Sequence, residues 1–199
     1  MSVWDEWDKR LNDTQWQADV NNSVFLSAMK RKLKEEGGRN HSDGSRTALP
    51  NAVQEGIAAT VEKFVPGAVR KPVCPAIEFP DLTLQKRADV FFTIGDRQLI
   101  FEVKTALEFN SLAAAGAEAS LYKSNNKDVI FVLFSLAGKG GFDSEKATKI
   151  AKSIFGGAID EIVVLSLEVG KANGKKLDVV WNELIQSLND FEIYLSKLV

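Results

Sequence analysis

Three charged residues have the types and the spacing to carry chemistry: Asp89, Glu102 and Lys104. Two carboxylates held close together repel, but a divalent cation between them reverses the sign of that interaction, and Mg²⁺ prefers oxygen ligands. An ammonium group beside them can orient a water molecule or stabilise charge that develops on a phosphate oxygen. These residue types therefore indicate metal-assisted hydrolysis of a phosphodiester bond.

A β-hairpin is predicted to bring the three residues together. The run over 88–94 is β-branched and aromatic, and the run over 98–104 alternates polar with apolar residues. Between them, Gly95-Asp96 is typical of a two-residue hairpin loop. The two runs are therefore expected to pair as antiparallel strands.

The two-residue loop fixes the register of this hairpin. Counted outwards from the loop, Phe91 faces Ile100 and Asp89 faces Glu102. Directly opposed residues point to one side of a sheet, with Cβ atoms roughly 5 Å apart. Lys104 lies two residues beyond Glu102 and shares that side. The hairpin is thus expected to gather both carboxylates and the ammonium group into one cluster.

The order of Asp89, a hairpin and the tripeptide Glu102-Val103-Lys104 resembles the PD-(D/E)xK nuclease superfamily, which has the restriction-endonuclease-like fold. That family includes restriction enzymes, archaeal-type Holliday junction resolvases, repair nucleases and some toxins. The resemblance covers 49 to about 167, and the tripeptide is the only (D/E)-x-K sequence in the chain. The chain departs from the motif because Ala88, not proline, precedes the aspartate. Pro80-Asp81 upstream is set aside, since no strand is predicted to follow it directly.

By this resemblance, Asp89 and Glu102 bind Mg²⁺ together with the main-chain carbonyl of Val103, and Mn²⁺ is expected to substitute. Lys104 is expected to position or deprotonate the attacking water. In the family, a helix before the hairpin often carries a glutamate that adds a metal contact. Glu55 is the first choice for that role in this chain.

Other helix residues are further candidates by the same resemblance. Glu62 is the second choice for the additional acid, because it lies on nearly the same side of the predicted helix as the first. The helix after the hairpin can carry a polar side chain towards the active site, and Glu118, Tyr122 and Lys123 are the candidates. For Tyr122, a packing role is favoured.

The resemblance implies an endonuclease that cleaves DNA, either of restriction type or of junction-resolving or repair type. Many such enzymes act as dimers on twofold DNA, so a homodimer is expected. The second interpretation is a non-catalytic interaction or immunity-type protein that keeps the fold. The net charge of −2 favours it slightly, because nucleic-acid binders are usually basic. The Asp, Glu and Lys together on one strand face argue against it.

Hydrophobic periodicity predicts helices and strands around the hairpin. Helices are predicted within 1–36 and over 50–64, 107–125, 144–155 and 177–198, strands within 69–79 and over 128–136 and 159–168, and a loop over 37–47. Strands joined by helices imply parallel pairing. The predicted fold is α/β, a restriction-endonuclease-like mixed β-sheet flanked by helices, with an N-terminal helical appendage. The predicted domains are a helical dimerisation or DNA arm, 1–48, and a nuclease core, 49–199.

Two groups of basic residues could contact the phosphate backbone of DNA. One lies near the end of the N-terminal helical segment, and the other recurs at three-residue steps in a later helix. Their members are Lys30, Arg31, Lys32 and Lys34, and Lys146, Lys149 and Lys152. A solvated helix face is the competing interpretation for each group, and it is favoured for the first.

Composition excludes several classes of protein. The chain has no apolar run long enough for a membrane span, and its acidic N-terminus does not match a secretory signal. A single cysteine, Cys74, rules out an internal disulfide and favours a cytoplasmic location. With His41 as the only histidine, a structural zinc site is excluded. The glycine-rich 138–141 lacks the spacing of a nucleotide-binding P-loop.

Overall fold

The computed structural model of the protein describes residues 3–36, 45–72, 77–79, 82–84, 88–139, 142–165 and 177–198. The chain forms two compact units, Met1–Pro66 with Leu167–Val199 and Gly67–Ser166. The first unit contains the whole predicted arm, 1–48, and parts of the predicted core, 49–199. The predicted domain boundary after residue 48 stays a prediction. His41 and Cys74 lie outside the described residues.

Helices and strands follow one another in the order expected for an α/β chain. The helices are α1 (Val3–Asn12), α2 (Gln17–Asn22), α3 (Val24–Glu36), α4 (Ser45–Phe64), α5 (Phe109–Asn125), α6 (Ser144–Phe155) and α7 (Leu177–Ser196), with a 3₁₀ turn at Thr14–Trp16. The strands are β1 (Ala68–Arg70), β2 (Ile77–Phe79), β3 (Leu82–Leu84), β4 (Val90–Ile94), β5 (Arg97–Lys104), β6 (Val129–Ser135) and β7 (Glu161–Val164). No described helix is both long and apolar enough to cross a membrane.

The first unit is helical, and Trp7, Trp16 and Trp181 are buried in it. The ring of Trp16 stacks on that of Trp181 in α7, with centroids 5.0 Å apart. The indole nitrogen of Trp181 also donates a hydrogen bond to Asp19 Oδ2 at 2.8 Å. Helices α3 and α4 meet closely, because a Cβ on Gly56 would lie 2.8 Å from the ring of Phe25. The N-terminal helices are therefore tied to the C-terminal helix.

Helix α4 begins earlier than the sequence predicts. The loop predicted over 37–47 gives way to helix at Ser45, so Pro50 lies inside the helix and not in its first turn. Proline has no N–H and so cannot bond back to the carbonyl four residues earlier. Ala48 and Leu49 are each only 5% exposed, and burying this extra turn offsets the missing bond.

The second unit contains a five-stranded mixed sheet with the order β1-β4-β5-β6-β7. Strands β1, β4 and β5 pair antiparallel, whereas β5, β6 and β7 pair parallel. Ile94 faces Arg97 and Phe91 faces Ile100, which confirms the predicted hairpin register. Gly95 in the turn has a φ of 58°, a value that glycine adopts without strain. The mixed α/β fold class is therefore confirmed.

One face of this sheet is covered by α5 and α6. Alternate residues of the strands, including Phe91, Ile100 and Phe131, form a buried cluster with residues of both helices. The helices approach closely, since a Cβ on Gly116 of α5 would overlap the ring of Phe155 of α6. This packing fixes the face on which every second residue of β5 projects.

Three boundaries differ from the predictions. Strands β2 and β3 form a separate antiparallel pair, so a strand does follow Pro80-Asp81 directly, and the contrary expectation was wrong. Three residues are too few for a periodic pattern to be recognised. Helix α5 starts two residues late because Leu107 pairs with Gly138 in a parallel bridge. Strand β7 ends at Val164, and residues 166–168 of the longer predicted strand lie outside the described residues. Pro80 and Asp81 also lie outside them.

Candidate active site

Strand β4 leaves β5 just before the predicted site. The last pair of their ladder is Val90 with Phe101. One residue earlier, Asp89 lies in a bend, and its Oδ2 accepts a hydrogen bond from the backbone N–H of Val103 at 2.7 Å. The side chain thus replaces a main-chain acceptor and ends the ladder. The predicted ladder pair between Asp89 and Glu102 gives way to this side-chain contact.

Lys104 and Glu102 form an ion pair at the end of β5. The Nζ of Lys104 lies 2.5 Å from Glu102 Oε1. The side chains are 29% and 10% exposed, respectively, so the carboxylate is the more deeply buried partner. A buried carboxylate is costly unless a cation or hydrogen-bond donor compensates it. Within the chain, Lys104 supplies that compensation.

The main chain directs the carbonyl of Val103 towards the same edge as Asp89. In a strand, the N–H and C=O of one residue point to the same neighbouring strand, and successive residues alternate between the two neighbours. The main chain of Gln98 and of Lys104 bonds on the β6 side, so the even-numbered residues of β5 face that side and the odd-numbered residues face β4. Since the N–H of Val103 meets Asp89, its carbonyl also points to the edge that β4 has left.

The site lies at the carboxyl end of the parallel strands, where open α/β sheets commonly bind ligands. Lys104 pairs with Ser135 of β6, a fully buried residue whose hydroxyl donates to the carbonyl of Ala137 at 2.8 Å. Beyond the strands, the N–H of Leu107 donates to Ala137 O at 2.7 Å, and the N–H of Lys139 donates to Leu107 O at 2.8 Å. These bonds hold the segments that leave β5 and β6 side by side. Sequence reasoning missed them, because no periodic pattern marks main-chain pairing outside strands.

The oxygen atoms at this position fit a hard cation. Across the part of the chain that the structure describes, no three side chains of Asp, Glu, His or Cys come together as a metal-binding group. Asp89 and Glu102 supply two carboxylates, and Val103 supplies a carbonyl. Mg²⁺ is usually held by one or two carboxylates together with waters and substrate phosphates. The donor set therefore suits Mg²⁺ or Mn²⁺ and does not suit a zinc site of nitrogen and sulfur ligands.

Both glutamates proposed as the additional acid lie on α4, in the first unit. The carboxylate of Glu55 lies 3.6 Å from Arg31 Nη2, and its side chain is 29% exposed. Glu62 is exposed. The contribution of either acid to the metal site stays a prediction.

The candidates on α5 have different environments. Glu118 is 5% exposed and lies on the buried face of the helix, where a glutamate is uncommon. Tyr122 belongs to the core cluster, with its ring centroid 6.1 Å from that of Phe131, as its favoured packing role requires. Lys123 bonds to Asp160 Oδ1 at 2.8 Å, and the other oxygen of that aspartate accepts from the N–H of Phe131 at 2.7 Å. Lys123 therefore anchors α5 to the loop before β7.

Many of the basic side chains already have partners on their own or neighbouring helices. In α3, Lys30 donates to Gln17 at 2.8 Å and Lys32 lies 3.1 Å from Glu36. In α6, the exposed Lys149 lies 2.5 Å from Glu145, and the hydrogen bond that it donates to that carboxylate raises the pKa of the lysine. The exposed pair of Lys149 and Glu145 contributes little free energy, so this lysine can readily exchange its partner for another anion.

Comparisons with known proteins find similarity of low strength among solved structures. No family model and no curated protein matches the chain. Among solved structures, the chain is similar to one described as a complex of restriction endonuclease PspGI with substrate DNA. The two share 13% sequence identity with a TM-score of 0.47, and the similarity covers 88% of this chain and 71% of that chain. A similarity at this level supports no conclusion about activity, so the resemblance to the nuclease superfamily is carried by the chain's own residues.

Proposed function

We propose that the protein is a metal-dependent nuclease that hydrolyses phosphodiester bonds of DNA, acting as an endonuclease. The observation that carries this proposal is one constellation at the end of β5. The carboxylates of Asp89 and Glu102 flank the main chain of Val103, and the ammonium group of Lys104 lies against the second of them. Two acids and a carbonyl can hold a divalent metal, and an amine beside them can position the attacking water, which are the parts of a metal-assisted phosphodiester hydrolysis.

Three of these groups would hold Mg²⁺: Asp89, Glu102 and the carbonyl of Val103. When bound, the metal polarises the scissile phosphate and makes an attacking water more acidic. The hydrogen bond from the N–H of Val103 to Asp89 fixes the acid relative to the carbonyl. The burial of Glu102 limits the positions that its side chain can adopt. The three ligands are thereby held in one arrangement before substrate arrives, which lowers the cost of reaching the transition state.

Lys104 would position or deprotonate the attacking water. Its side chain projects from the same face of β5 as Glu102, two residues away. The side chain is partly exposed, so it has room to move towards solvent and a bound phosphate. An ammonium group in this position can also stabilise charge that develops on the phosphate oxygens.

Three further parts of the proposal rest on the sequence. Glu55 would add a metal contact, directly or through water. The basic residues of α3 and α6 would contact the phosphate backbone. The protein would act as a homodimer on twofold DNA. Within this proposal, both a restriction-type and a junction-resolving or repair enzyme are consistent with the site.

A panel of substrates tests the proposal. Supercoiled plasmid, a branched DNA and single strands would be incubated with the full chain and Mg²⁺ or Mn²⁺. We expect cleavage of at least one substrate, no cleavage in excess EDTA, and loss of cleavage in Lys104→Ala and Asp89→Asn. The asparagine can still accept a hydrogen bond from the N–H of Val103. A loss of cleavage in a folded Asp89→Asn protein would therefore be due to the lost negative charge at position 89.

The same contacts also give the second interpretation its best support. Lys104 already compensates the charge of Glu102 within the chain, and Asp89 already accepts a hydrogen bond from Val103, so both carboxylates have partners without a metal. A non-catalytic interaction or immunity-type protein would need nothing more. Inactivity of the wild type on every substrate with both metals would favour this interpretation over the nuclease.

A further inference from the structure

We propose that Lys104 is an internal counter-ion that closes the candidate metal site and must leave Glu102 before a divalent cation can bind. This inference rests on the proposed function, because it concerns the same carboxylates. It adds an order of events to that function. The lysine gives up Glu102 as the metal binds, and only then is it available to water or phosphate.

Each carboxylate of the site is engaged by the chain itself. Oδ2 of Asp89 accepts the N–H of Val103 at 2.7 Å, and Oε1 of Glu102 receives the ammonium group of Lys104 at 2.5 Å. These two contacts differ in kind. A main-chain N–H held in a strand cannot move away from its acceptor. The ammonium group of a lysine can move away, because it is carried on a flexible four-carbon side chain.

The ammonium group and a metal ion would compete for the same carboxylate. Mg²⁺ binds its oxygen ligands at about 2.0–2.1 Å and demands near-ideal octahedral geometry. A cation at that distance from Oε1 of Glu102 would lie within a few ångströms of Nζ of Lys104, where like charges repel strongly because the glutamate side chain is only 10% exposed. Binding of the metal and release of the lysine are therefore coupled.

The coupling is reciprocal by thermodynamic necessity. Whatever holds Lys104 on Glu102 weakens metal binding, and bound metal weakens the ion pair by the same factor. The 29% exposure of the Lys104 side chain leaves it a path outwards. Once released, the ammonium group would lie near the carboxyl end of β5, where a phosphate would bind. Its charge would then no longer be neutralised by Glu102.

Chemical labelling of lysines tests this inference without any substrate. The full chain would be treated briefly with an amine-acetylating reagent at constant pH, with and without saturating Mg²⁺, and modification of each lysine measured by mass spectrometry. We expect Mg²⁺ to raise the rate at Lys104 at least threefold, because the ion pair that protects it is broken. The matched control is Lys149, which lies at the same 2.5 Å from Glu145 in α6 and should not respond.

Calorimetric titration with Mg²⁺ provides a second readout. Lys104→Met should bind Mg²⁺ about tenfold more tightly than the wild type, a factor that corresponds to ~1.4 kcal/mol. Lys104→Arg keeps the cation and should show no gain. Lys149→Met should bind as the wild type does, since its pair is remote from the three ligands in the sequence and highly exposed.

The outcomes separate this inference from the proposed function. If Mg²⁺ binds and DNA is cleaved, but the labelling rate of Lys104 and the affinity of Lys104→Met are unchanged, the counter-ion inference is overturned and the nuclease stands. If neither the wild type nor Lys104→Met binds Mg²⁺ or Mn²⁺ at millimolar concentrations, both are overturned. A metal-dependent rise at Lys104 alone supports the inference even where no cleavable substrate has been found.

Discussion

The carboxylate of Asp89 accepts a hydrogen bond from the main-chain N–H of Val103 at 2.7 Å. One side chain thereby ends a strand and stands beside the residue that separates Glu102 from Lys104. Its structural task needs only an acceptor oxygen, whereas its proposed chemical task needs a negative charge. Substitutions at this position can separate the two.

Asp89→Asn keeps an acceptor oxygen and Asp89→Ala removes it. We expect Asp89→Ala to lower the free energy of unfolding by about 1–3 kcal/mol, because the N–H of Val103 loses its partner in a part-buried position. Asp89→Asn should lose much less stability but should lose cleavage as completely. Urea denaturation of both variants, with cleavage assayed in parallel, checks this. Equal stability of the two variants would show that the hydrogen bond contributes nothing.

Asp160 and Lys123 test a structural contact just before the start of β7. Asp160→Ala should destabilise the protein by about 1–3 kcal/mol, because it leaves the N–H of Phe131 in the interior strand β6 without its acceptor. Lys123→Met removes only a partly exposed ion pair and should cost less than ~1 kcal/mol. Both effects are measured by urea denaturation. We expect Lys123→Met to cleave DNA at the wild-type rate, and a large loss of cleavage would instead assign Lys123 to the active site.

Gly116 and Phe155 test the packing of α5 on α6. A methyl group on Gly116 would overlap the ring of Phe155, so Gly116→Ala should destabilise the protein by about 1–3 kcal/mol. Phe155→Leu removes the ring that it meets. In thermal unfolding, the double variant should therefore be more stable than the sum of the two single effects implies. Strict additivity would mean that the two positions do not touch in solution.

Glu161 in β7 predicts a pH dependence of stability. Burial is the largest influence and raises the pKa of this carboxyl above its ordinary value of 4.5, although the N–H of Ile162 and the charge of Lys152 lower it. A carboxyl whose pKa is raised by folding stabilises the folded state while protonated, and that contribution is lost as the pH rises from the unfolded pKa through the folded pKa. Glu161→Gln has no such loss. The difference in melting temperature between Glu161→Gln and the wild type should therefore shift in favour of the variant from pH 4 to pH 7. The same difference at both pH values would contradict this assignment.

The hairpin register was predictable from sequence because one short signal determines it. Gly95-Asp96 between two apolar runs admits few loop types, and once the loop is fixed every opposed pair follows. The same reasoning placed Glu102 and Lys104 on one face of β5. The parallel strands were predictable too, because continuous apolar runs separated by helices have few alternatives.

The contacts that complete the candidate site were not predictable in this way. The bond from Val103 to Asp89 depends on how strand β4 bends away, and a side chain that replaces a main-chain acceptor leaves no periodic signal. The early start of α4 reflects the burial of Ala48 and Leu49 overriding the local signal of Pro50. Tertiary packing decided both features.

The role of Lys104 in cleavage is tested most directly by the rate of plasmid cleavage in a single turnover with saturating Mg²⁺. The variants would be Lys104→Ala and, as a control, Lys197→Ala, an exposed lysine just beyond α7. We expect cleavage by the wild type and by Lys197→Ala at equal rates, and a loss of roughly 10²–10⁴-fold in Lys104→Ala, the range typical of a removed general acid or base. Cleavage by Lys104→Ala at the wild-type rate would contradict the assignment of the site.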